Sequence, residues 1–460
     1  MIAAKSFLGI TQQDLLTAQE LGRGDLSRYL IALAAVRKGF TVGFETFVSS
    51  ESKSFLGTAP NYTGRYLSVS DGKRTVYFDG SRGQDTLAQV NNLAAKKDES
   101  GIIFNAKGVR TPKSIVIFAS ELEKIKAFLK ASQSERFILK PTSGSLGQGV
   151  EINLLPSDVF EIVAKKRNKW ILQEMIHGPE YRIYVSNKKA IASFKKLVPS
   201  VTGDGRKSIR ELVKNKNEDI ALGGIPKNQI NLEQSEIFLR SAGRSLEYKP
   251  RFLEVVELSD KNFVPGFDTE DVTNTISEEL KSEAIKATIA IGIPNAGVDV
   301  LLCTERNLAY VLEVNPRANI QLHTFPSLGN GQGLKVPESI LDYYFRTESR
   351  RAVYPNFPVD FCEVKKALGT GLFRRVEIIS PKPEWILRKI HLENSIDSAM
   401  KVERMLKMVC IFVNWYQRSE GDNKFDAYFL DRGYRSFIRS SRKHSVPIIS
   451  KEVDKQVLHE

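Results

Sequence analysis

Short apolar stretches follow one another along the chain, some with helical periodicity and some with alternating apolar and polar residues. This order predicts a mixed α/β fold. Over residues 22–44, the helical segment LSRYLIALAAVRKG ends at Gly39, and the short strand TVGFET follows it. Apolar and polar residues also alternate on both sides of Asp71-Gly72, which predicts a hairpin over residues 66–79. The chain is therefore expected to open with a β/α unit and a hairpin.

A glycine-rich strand–loop–strand segment, RFILKPTSGSLGQGVEI, lies at residues 136–152. Its first strand ends in Lys140, and its second strand begins at Val150. Backbone N–H groups of a loop without bulky side chains can form a concave phosphate site, for which a lysine supplies positive charge. The pattern fits neither a P-loop nor a dinucleotide fingerprint, because it lacks G-x-x-x-x-G-K-[ST] and no helical pattern follows. Two interpretations of the segment therefore remain: a hairpin that closes over nucleotide phosphates, and an ordinary glycine-rich hairpin.

A second segment, WILQEMIHGPEYRIYVS at residues 170–186, predicts two strands flanking a bend at Gly178-Pro179. In a nucleotide site, such a connection offers its main-chain N–H and C=O groups to adenine, and Glu180 is placed to bind a ribose hydroxyl. Arg182 lies two residues further on and hence on the same strand face. The alternative is that Glu180 and Arg182 form a surface cross-strand pair.

Two further strands, AGVDVLL at residues 296–302 and AYVLEV at 309–314, carry carboxylates in apolar surroundings. Asp299 interrupts the first strand. Glu313 and Asn315, at i and i+2 near the end of the second, share a face. A hairpin would bring all three side chains together, and such hard oxygen ligands suit Mg²⁺. The alternative is two strand-end carboxylates paired with arginine or lysine.

The last hundred residues have a pattern of their own. Strands are predicted over 385–392, 413–418, 424–430 and 446–449, and helices over 398–412 and 434–443. This βαββαβ order predicts a small ferredoxin-like domain. Its second helix carries Arg435, Arg439 and Arg442 on one side, which fits an acidic partner or a solvated surface.

The amino-acid composition and net charge limit the kinds of protein that this chain can be. The chain has 460 residues, a net charge of +13, 42% hydrophobic residues and 26% charged residues, which suits a globular enzyme of about three domains that handles anions. No apolar run approaches the roughly 18 residues of a membrane helix, and the N-terminus shows no clear cleavage site, so we expect a cytoplasmic protein without a membrane partner. Without zinc-finger spacing or an RNA-binding signature, nucleic acid is not the expected partner. The three cysteines are expected to be reduced core thiols.

In combination, these segments resemble the ATP-grasp superfamily. The resemblance covers residues 22–345 and rests on Lys97 ahead of AKGVRTP, then LKPTSGSLGQGV, QEMIHGPEYRIYV, GVDV and LEVNPRANIQLH. It is closest to the ligase domain of cyanophycin synthetases and related peptide-forming ligases. Those also carry a GDG-[RK]-x-x-I-R-E-L-V insert, here residues 203–213, and a histidine placed as His323.

The resemblance implies a set of ATP-binding residues. The lysines would contact phosphates, the glycine-rich loop would close over them, the residues around 173–176 would border adenine, and the glutamate would hold the ribose. The full set is Lys97, Lys140, Ser143, Gly144, Ser145, Gly147, Gly149, Gln173, Glu174, Ile176 and Glu180. The resemblance also implies a substrate contact at His323 and Mg²⁺ ligands at Asp299, Glu313 and Asn315.

The sequence departs from the family pattern at two places. Some ligases of this superfamily have an arginine two residues before the first metal aspartate, where this chain has Gly297. Arg182 or Arg317 is expected to supply that charge, so Lys140, Arg182 and Arg317 form the expected catalytic set. The cyanophycin-type substrate stretch is replaced by VELSDKNFVPGFDTEDVT, which leaves the substrate open.

The C-terminal module faintly resembles acylphosphatase. The phosphate-cradling signature of that family corresponds at best to NSIDSAMKV, residues 394–402, which lacks the glycines and the arginine. We therefore expect a non-catalytic accessory domain that binds a substrate, a carrier or a second subunit.

The expected organisation has three parts: a β/α domain over residues 1–92, an ATP-grasp domain over 93–354 divided at 178/179, and the ferredoxin-like domain over 365–460. The fold class is thus α/β and α+β. The resemblance implies an ATP-dependent carboxylate–amine ligase that uses ATP and Mg²⁺ and forms an amide through an acylphosphate. Its partners would be a small carboxylate and a small amine, an amino acid or peptide, and a homo-oligomer is compatible with the pattern. The alternative is a catalytically silent ATP-grasp protein that binds nucleotide.

Overall fold

A computed structural model describes most of the chain up to residue 345 and four strands beyond it. The described residues are 7–21, 23–45, 66–142, 149–166, 168–221, 229–260, 264–345, 373–378, 387–393, 412–418 and 424–430. The chain divides into two compact units. The first comprises Met1–Gly9 and Asp85–Ser339, and the second comprises Ile10–Gln84 and Ile340–Glu460.

Both units contain helices and strands, which confirms the mixed α/β architecture. The described helices are α1 (Gln12–Glu20), α2 (Arg23–Arg37), α3 (Ala88–Ala95), α4 (Lys97–Ala106), α5 (Leu122–Ala131), α6 (Pro156–Ala164), α7 (Ile209–Ala221), α8 (Leu232–Ser241), α9 (Glu278–Ile291), α10 (Gln321–Thr324) and α11 (Lys335–Tyr344). The described strands are β1 (Thr41–Glu45), β2 (Tyr66–Ser70), β3 (Thr75–Asp79), β4 (Arg82–Gly83), β5 (Ser114–Ile117), β6 (Phe137–Pro141), β7 (Glu151–Leu154), β8 (Trp170–Glu174), β9 (Glu180–Ser186), β10 (Lys189–Leu197), β11 (Ser200–Thr202), β12 (Val255–Glu257), β13 (Asp268–Asp271), β14 (Asn295–Cys303), β15 (Leu308–Asn315), β16 (Phe373–Ile378), β17 (Leu387–Glu393), β18 (Phe412–Arg418) and β19 (Lys424–Leu430). Among the described helices, none is long and apolar enough to cross a membrane.

The second unit contains one antiparallel sheet of eight described strands, in the order β18-β19-β17-β16-β1-β2-β3-β4. Helix α2, whose residues 30–35 are all buried, packs against β1 and β2. Asp14 joins the two N-terminal helices: it accepts hydrogen bonds from Thr11 at the start of α1, from the Tyr29 hydroxyl at 3.1 Å and from Arg37 at 2.6 Å.

The C-terminal strands continue the N-terminal sheet, because β16 pairs with β1. Strands β17, β18 and β19 lie close to where the sequence predicts strands, and β16 is an addition. The predicted helices over 398–412 and 434–443 and the predicted strand over 446–449 fall outside the described residues, apart from Phe412, which begins β18. The separate ferredoxin-like domain, its acylphosphatase likeness and the three-part division therefore stay predictions.

The first unit contains two main sheets. The four-stranded sheet, in the order β5-β8-β6-β7, buries an apolar core against α5 and α6. The five-stranded sheet, β13-β10-β9-β14-β15, packs one face against α9. The chain passes from β8 to β9, and thus from one sheet to the other, through residues 175–179. This connection places the glycine-rich hairpin of β6 and β7 in the same unit as the carboxylate-bearing strands.

An insert between β10 and β13 has its own small core around α7, α8 and the β11–β12 pair. The GDG segment is a turn there, in which Asp204 accepts hydrogen bonds from the backbone N–H groups of Arg206 and Lys207. The polar composition of residues 215–234, which follow the turn and overlap the next helix, predicts a loop. That expectation is wrong in part, because α7 continues to Ala221 and α8 begins at Leu232.

Candidate active site

A row of directly paired residues crosses the face of the five-stranded sheet that is turned away from α9. Across the strands from β15 to β13 its members are Glu313, Asp299, Arg182, Phe194 and Asp271. Directly opposite residues of antiparallel strands share a face, about 5 Å apart. The row therefore brings together residues that lie more than 100 positions apart in the chain.

A β-bulge puts Glu313 into this row. Val311 pairs with Val300 and belongs to the apolar core, whereas Glu313 pairs with Asp299, so β15 holds one extra residue, Leu312, between them. Without the extra residue, Glu313 would share the face of Val311, because successive side chains alternate. The bulge thus turns the carboxylate away from the core and towards Asp299.

Arg182 and Asp299 form the centre of the row. Arg182 Nε donates to Asp299 Oδ1 at 2.5 Å, and one terminal nitrogen donates to Oδ2 at 2.7 Å. Burial acts to raise the pKa of Asp299, but Arg182 and Lys196 outweigh it and hold that pKa well below its usual range. Gly297 lies under the arginine stem and makes room for Ala318. A Cβ at Gly297 would be in ordinary contact with Arg182 Cδ at 3.4 Å but only 2.7 Å from the Ala318 methyl.

Of the two arginines expected to supply charge near Gly297, Arg182 therefore lies against the aspartate. Arg317 is exposed. Gly297, where some ligases of the superfamily have an arginine, is the residue over which the Arg182 side chain passes. The absence of an arginine at 297 and the presence of Arg182 are thus linked by packing.

Lys196 on β10 is a member of the cluster that the sequence analysis missed. Its Nζ donates to Asp299 Oδ2 at 2.8 Å and to Glu180 Oε1, and the residue is buried. Burial lowers the pKa of Lys196, but Asp299 and Glu180 more than offset this and raise it. Burial raises the pKa of Glu180, against the opposing effect of Lys196. The available signal was a lysine inside the apolar strand IASFKKL.

Glu313 and Asn315 lie beside this cluster and are less buried. Asn315 Nδ2 donates to Glu313 Oε1 at 2.9 Å, which orients the carboxylate. Glu313 is 3.7 Å from Lys97 Nζ and 3.9 Å from the nearer terminal nitrogen of Arg182. Among the described residues, no group of three histidine, cysteine, aspartate or glutamate side chains is ready to hold a metal ion.

The two predicted phosphate-binding lysines lie close to these carboxylates. Burial, with the nearby charge of Lys97, lowers the pKa of Lys140 to about 8, although Glu313 and Glu180 oppose the shift. The Lys97 backbone N–H donates to Thr142 O at 3.3 Å, which anchors the start of α4 to the base of the glycine-rich loop.

The loop itself is described only at its end. Gly149 has a φ of +71°, and a Cβ there would lie 3.3 Å from Pro141 Cγ. The other predicted members of the loop fall outside the described residues: Ser143, Gly144, Ser145 and Gly147.

The end of β8 and the connection to β9 hold the predicted adenine contacts. Gln173 and Glu174 are buried, and the Glu174 carboxylate accepts a hydrogen bond from Ser132 at 2.6 Å. The backbone N–H of Ile176 donates to no backbone carbonyl of the described residues. Gly178 approaches the next sheet so closely that a Cβ would lie 1.8 Å from Leu302 O. The connection is therefore fixed at both ends, with main-chain groups left available at its middle.

His323 lies on α10, over the same sheet face. Its ring is 4.8 Å from that of Phe194 and 6.0 Å from that of Tyr184, and only 3% of the residue is exposed. Among the described residues, neither ring nitrogen has a hydrogen-bond partner. Burial, with the nearby charge of Arg182, lowers the pKa of His323 to about 3, so the imidazole is neutral.

Comparison with known proteins gives sequence relatives and structural neighbours. The chain is 27% identical over 304 residues to the glutathione biosynthesis bifunctional protein GshAB of Clostridium perfringens, covering 61% of this chain and 38% of the relative. It is 27% identical over 335 residues to the GshAB protein of Streptococcus agalactiae, covering 67% of this chain and 42% of the relative. The chain thus spans about two fifths of the length of these relatives. No family model matches.

Two solved structures give weaker similarities. One is a bifunctional glutathione synthetase from Pasteurella multocida, with a TM-score of 0.48 and 21% identity, covering 61% of this chain and 41% of the other. The second is a D-alanine–D-alanine ligase from Bacillus anthracis, with a TM-score of 0.35 and 14% identity, covering 56% of this chain and 68% of the other. The sequence relatives are in line with the resemblance to ATP-grasp ligases. The finer resemblance to cyanophycin synthetases stays a prediction.

Proposed function

We propose that the protein is an ATP-dependent carboxylate–amine ligase that forms an amide bond through an acylphosphate. The observation that carries the proposal is the cluster of charged and polar side chains around Asp299, next to the glycine-rich hairpin. It comprises three lysines, one arginine and three further oxygen-bearing side chains, namely Lys97, Lys140, Lys196, Arg182, Glu180, Glu313 and Asn315. Two features support the nucleotide role. Lys97 and Lys140 lie close to Glu313, and in the connection after β8 the backbone N–H of Ile176 bonds to no backbone carbonyl of the described residues. The similarity to GshAB proteins points in the same direction.

Mg²⁺ fits the donor set of this site. Glu313 and Asn315 present a carboxylate and an amide on one strand face, and hard oxygen ligands are what Mg²⁺ prefers. Asp299 accepts three hydrogen bonds from Arg182 and Lys196, and because a carboxylate has about four acceptor positions, one remains. When bound there, Mg²⁺ would neutralise charge on the ATP phosphates.

In the first chemical step, a carboxylate oxygen of the substrate attacks the γ-phosphorus of ATP. The new carbonyl–oxygen–phosphorus link forms as the bond to ADP breaks. Lys97 and Lys140 hold the phosphates, and Arg182, fixed by Asp299, presents positive charge to the transferring group. Because these groups are ordered before the substrates bind, they stabilise developing charge without reorganising.

In the second step, an uncharged amine attacks the acyl carbon and phosphate leaves. The amine proton is lost as the amide forms, so the products are the amide, ADP and phosphate. This chemistry requires no nucleophile from the protein, which agrees with a site built from cations, carboxylates and one neutral imidazole.

ADP release against a panel of amino acids and dipeptides tests the proposal. We expect ATP to bind in millimolar Mg²⁺, and we expect ADP release to depend on an added carboxylate. Hydroxylamine should trap the acylphosphate as a hydroxamate. An absence of ATP binding by isothermal titration, or ADP release that no carboxylate stimulates, would contradict the proposed function.

A further inference from the structure

The insert between β10 and β13 exposes three apolar residues that are close together in the chain. Phe252, Leu253 and Val255 are 73%, 67% and 62% exposed. They lie where the chain enters β12, on a loop that packs against the GDG turn, since a Cβ at Gly205 would be 3.6 Å from Phe252 N. We call residues 203–207 and 248–255 the tip of the insert. Scattered apolar side chains are common on protein surfaces, whereas a contiguous group of them marks a contact surface.

Backbone hydrogen bonds hold the tip in one conformation. Leu253 N–H donates to Gly203 O at 2.9 Å, and Gly203 N–H donates to Glu254 O at 2.8 Å. A Cβ at Gly203 would clash with Arg251 O, so the two parts of the tip are in close contact. Leu253 has a φ of +64°, a conformation that glycine and asparagine adopt readily and leucine adopts at an energetic cost. The tip therefore keeps an exposed leucine where another residue would suit the backbone better, and such strain is typical of functional sites.

The two carboxylates of the tip are engaged within the insert. Glu254 accepts hydrogen bonds from the Arg251 backbone at 2.9 Å and from the Tyr248 hydroxyl at 3.1 Å, and it is 3.3 Å from Arg244. Asp204 accepts the two backbone N–H bonds of the GDG turn. The backbone N–H groups lower the pKa of both carboxyls, so both are ionised and already have partners.

The cations of the tip are not engaged in this way. The tip carries four exposed cations: Arg206, Lys207, Lys249 and Arg251. Next to them, ion pairs join Arg210 to Glu247 at 2.7 Å and Arg244 to Glu254, but in the described part of the chain none of the four forms one. Glu257, also exposed, lies at the far end of β12. The tip thus combines apolar side chains with an excess of positive charge, and its complement is a surface that is apolar and acidic.

The geometry and charge of the tip favour a polypeptide as its partner. Strands β11 and β12 form a ribbon of two strands, so the outer edge of β12 has no strand partner among the described residues. An extended polypeptide can bond to such an edge through its main chain while its side chains contact the flanking residues. Leucine and valine offer no ring on which bases stack, which disfavours nucleic acid. A second copy of the chain would bring a further net charge of +13 and a tip of the same sign.

We propose that the tip of the insert is a docking surface for an acidic segment of a partner protein. Phe252, Leu253 and Val255 contact apolar side chains of that segment, and the four cations pair with its carboxylates. This surface uses none of the groups around Asp299. The inference therefore goes beyond the proposed ligase function and stands independently of it.

Synthetic peptides test the charge and apolar character of the partner. The probe is a fluorescein-labelled peptide that repeats Glu-Glu-Leu, and fluorescence anisotropy with the full chain measures its binding. We expect it to bind at least about tenfold more tightly than peptides that repeat Glu-Glu-Ser or Lys-Lys-Leu, and more weakly as salt is added. Absence of binding, or equal binding of the Glu-Glu-Ser peptide, would overturn the inference.

Leu253→Asn separates docking from folding. The thermal unfolding midpoint should stay the same or rise, because asparagine adopts the left-handed backbone more readily than leucine, while the peptide affinity should fall about tenfold. Arg251→Gln should also weaken binding and reduce its dependence on salt. The matched control is Ile289→Gln on α9, which removes a similarly exposed apolar side chain outside the insert and should leave binding unchanged.

Two results with these variants would contradict the inference. One is unchanged peptide affinity in Leu253→Asn. The other is that a single-stranded DNA oligonucleotide binds more tightly than the Glu-Glu-Leu peptide and is weakened by the same variants, which would assign the tip to nucleic acid.

Discussion

The two faces of the five-stranded sheet are made by alternate residues of the same strands, yet they depend on their neighbours in different ways. On the face against α9, Ile183, Val298 and Val300 pack among other apolar side chains. On the opposite face, Arg182 and Asp299 contact each other directly. An apolar side chain can be exchanged for another of similar size at small cost, whereas a buried charge needs one particular partner. The apolar face therefore supports the fold through many interchangeable contacts, and the charged face depends on a few specific ones.

The largest effect is expected at the centre of the charged face. Asp299→Asn leaves Arg182 and Lys196 buried without their shared anion, and breaking a buried pair of this kind costs about 3–5 kcal/mol of unfolding free energy. Turnover should also fall by at least roughly 100-fold, which corresponds to about 2.7 kcal/mol of barrier. Denaturant unfolding and ADP release measure the two effects separately.

Glu313→Gln is the matched control for that variant. Glu313 is more exposed than Asp299 and its cationic neighbours lie 3.7 and 3.9 Å away, so the free energy of unfolding should change little. Turnover should still fall by roughly 100-fold, because a carboxylate for Mg²⁺ is lost. If both variants kept near wild-type turnover at limiting Mg²⁺, the carboxylates would be structural and the contrast between the faces would disappear.

The sequence predicted the participants of the charged face better than their arrangement. Asp299, Glu313 and Arg182 were recognisable because each is a polar residue in an apolar strand. Their pairing depends on the bulge at Leu312 and on the register of three strands, which are set by long-range packing that no local pattern records.

Lys196 and Asp271 show the limit of such reasoning more clearly. Lys196 contacts Asp299 from a strand about 100 residues earlier, and Asp271 joins the row only through pairing of the short strand β13 with β10. The prediction of a loop over residues 215–234 failed in part for a related reason. Asn217 of α7 exchanges two side-chain hydrogen bonds with the backbone of Ile230, a contact that no local pattern records.

A smaller effect is expected at Lys140, which lies on β6 of the four-stranded sheet close to the carboxylates of the charged face and has a pKa of about 8. Burial and Lys97 depress this pKa below the ordinary lysine value, so the side chain loses its charge as the pH rises through about 8. ATP needs the charged form, and its affinity should fall up to about tenfold for each pH unit above that value. Isothermal titration between about pH 7 and about pH 9.5 measures this change.

Lys140→Arg is the control for the pH dependence. A guanidinium stays charged throughout this range, so the decline in ATP affinity should disappear even if the affinity itself is altered. A flat profile for the unmodified protein would mean that Lys140 keeps its proton, which would contradict the depressed pKa.

The smallest effect is expected on the apolar face. Ile183 lies between Arg182 and Tyr184 in the sequence. Its side chain is fully buried and points away from theirs, into the core against α9. Ile183→Val removes one methyl group from that core and should lower the unfolding free energy by about 0.5–1.5 kcal/mol. Turnover per folded molecule should stay within about twofold, because many backbone hydrogen bonds and packing contacts together hold the strand register that places Arg182 against Asp299, and one methyl group is a small part of them. Denaturant unfolding and ADP release on the same preparation decide the matter. A loss of turnover comparable with that of Glu313→Gln would show that core packing sets the geometry of the charged row, and that the two faces are not independent.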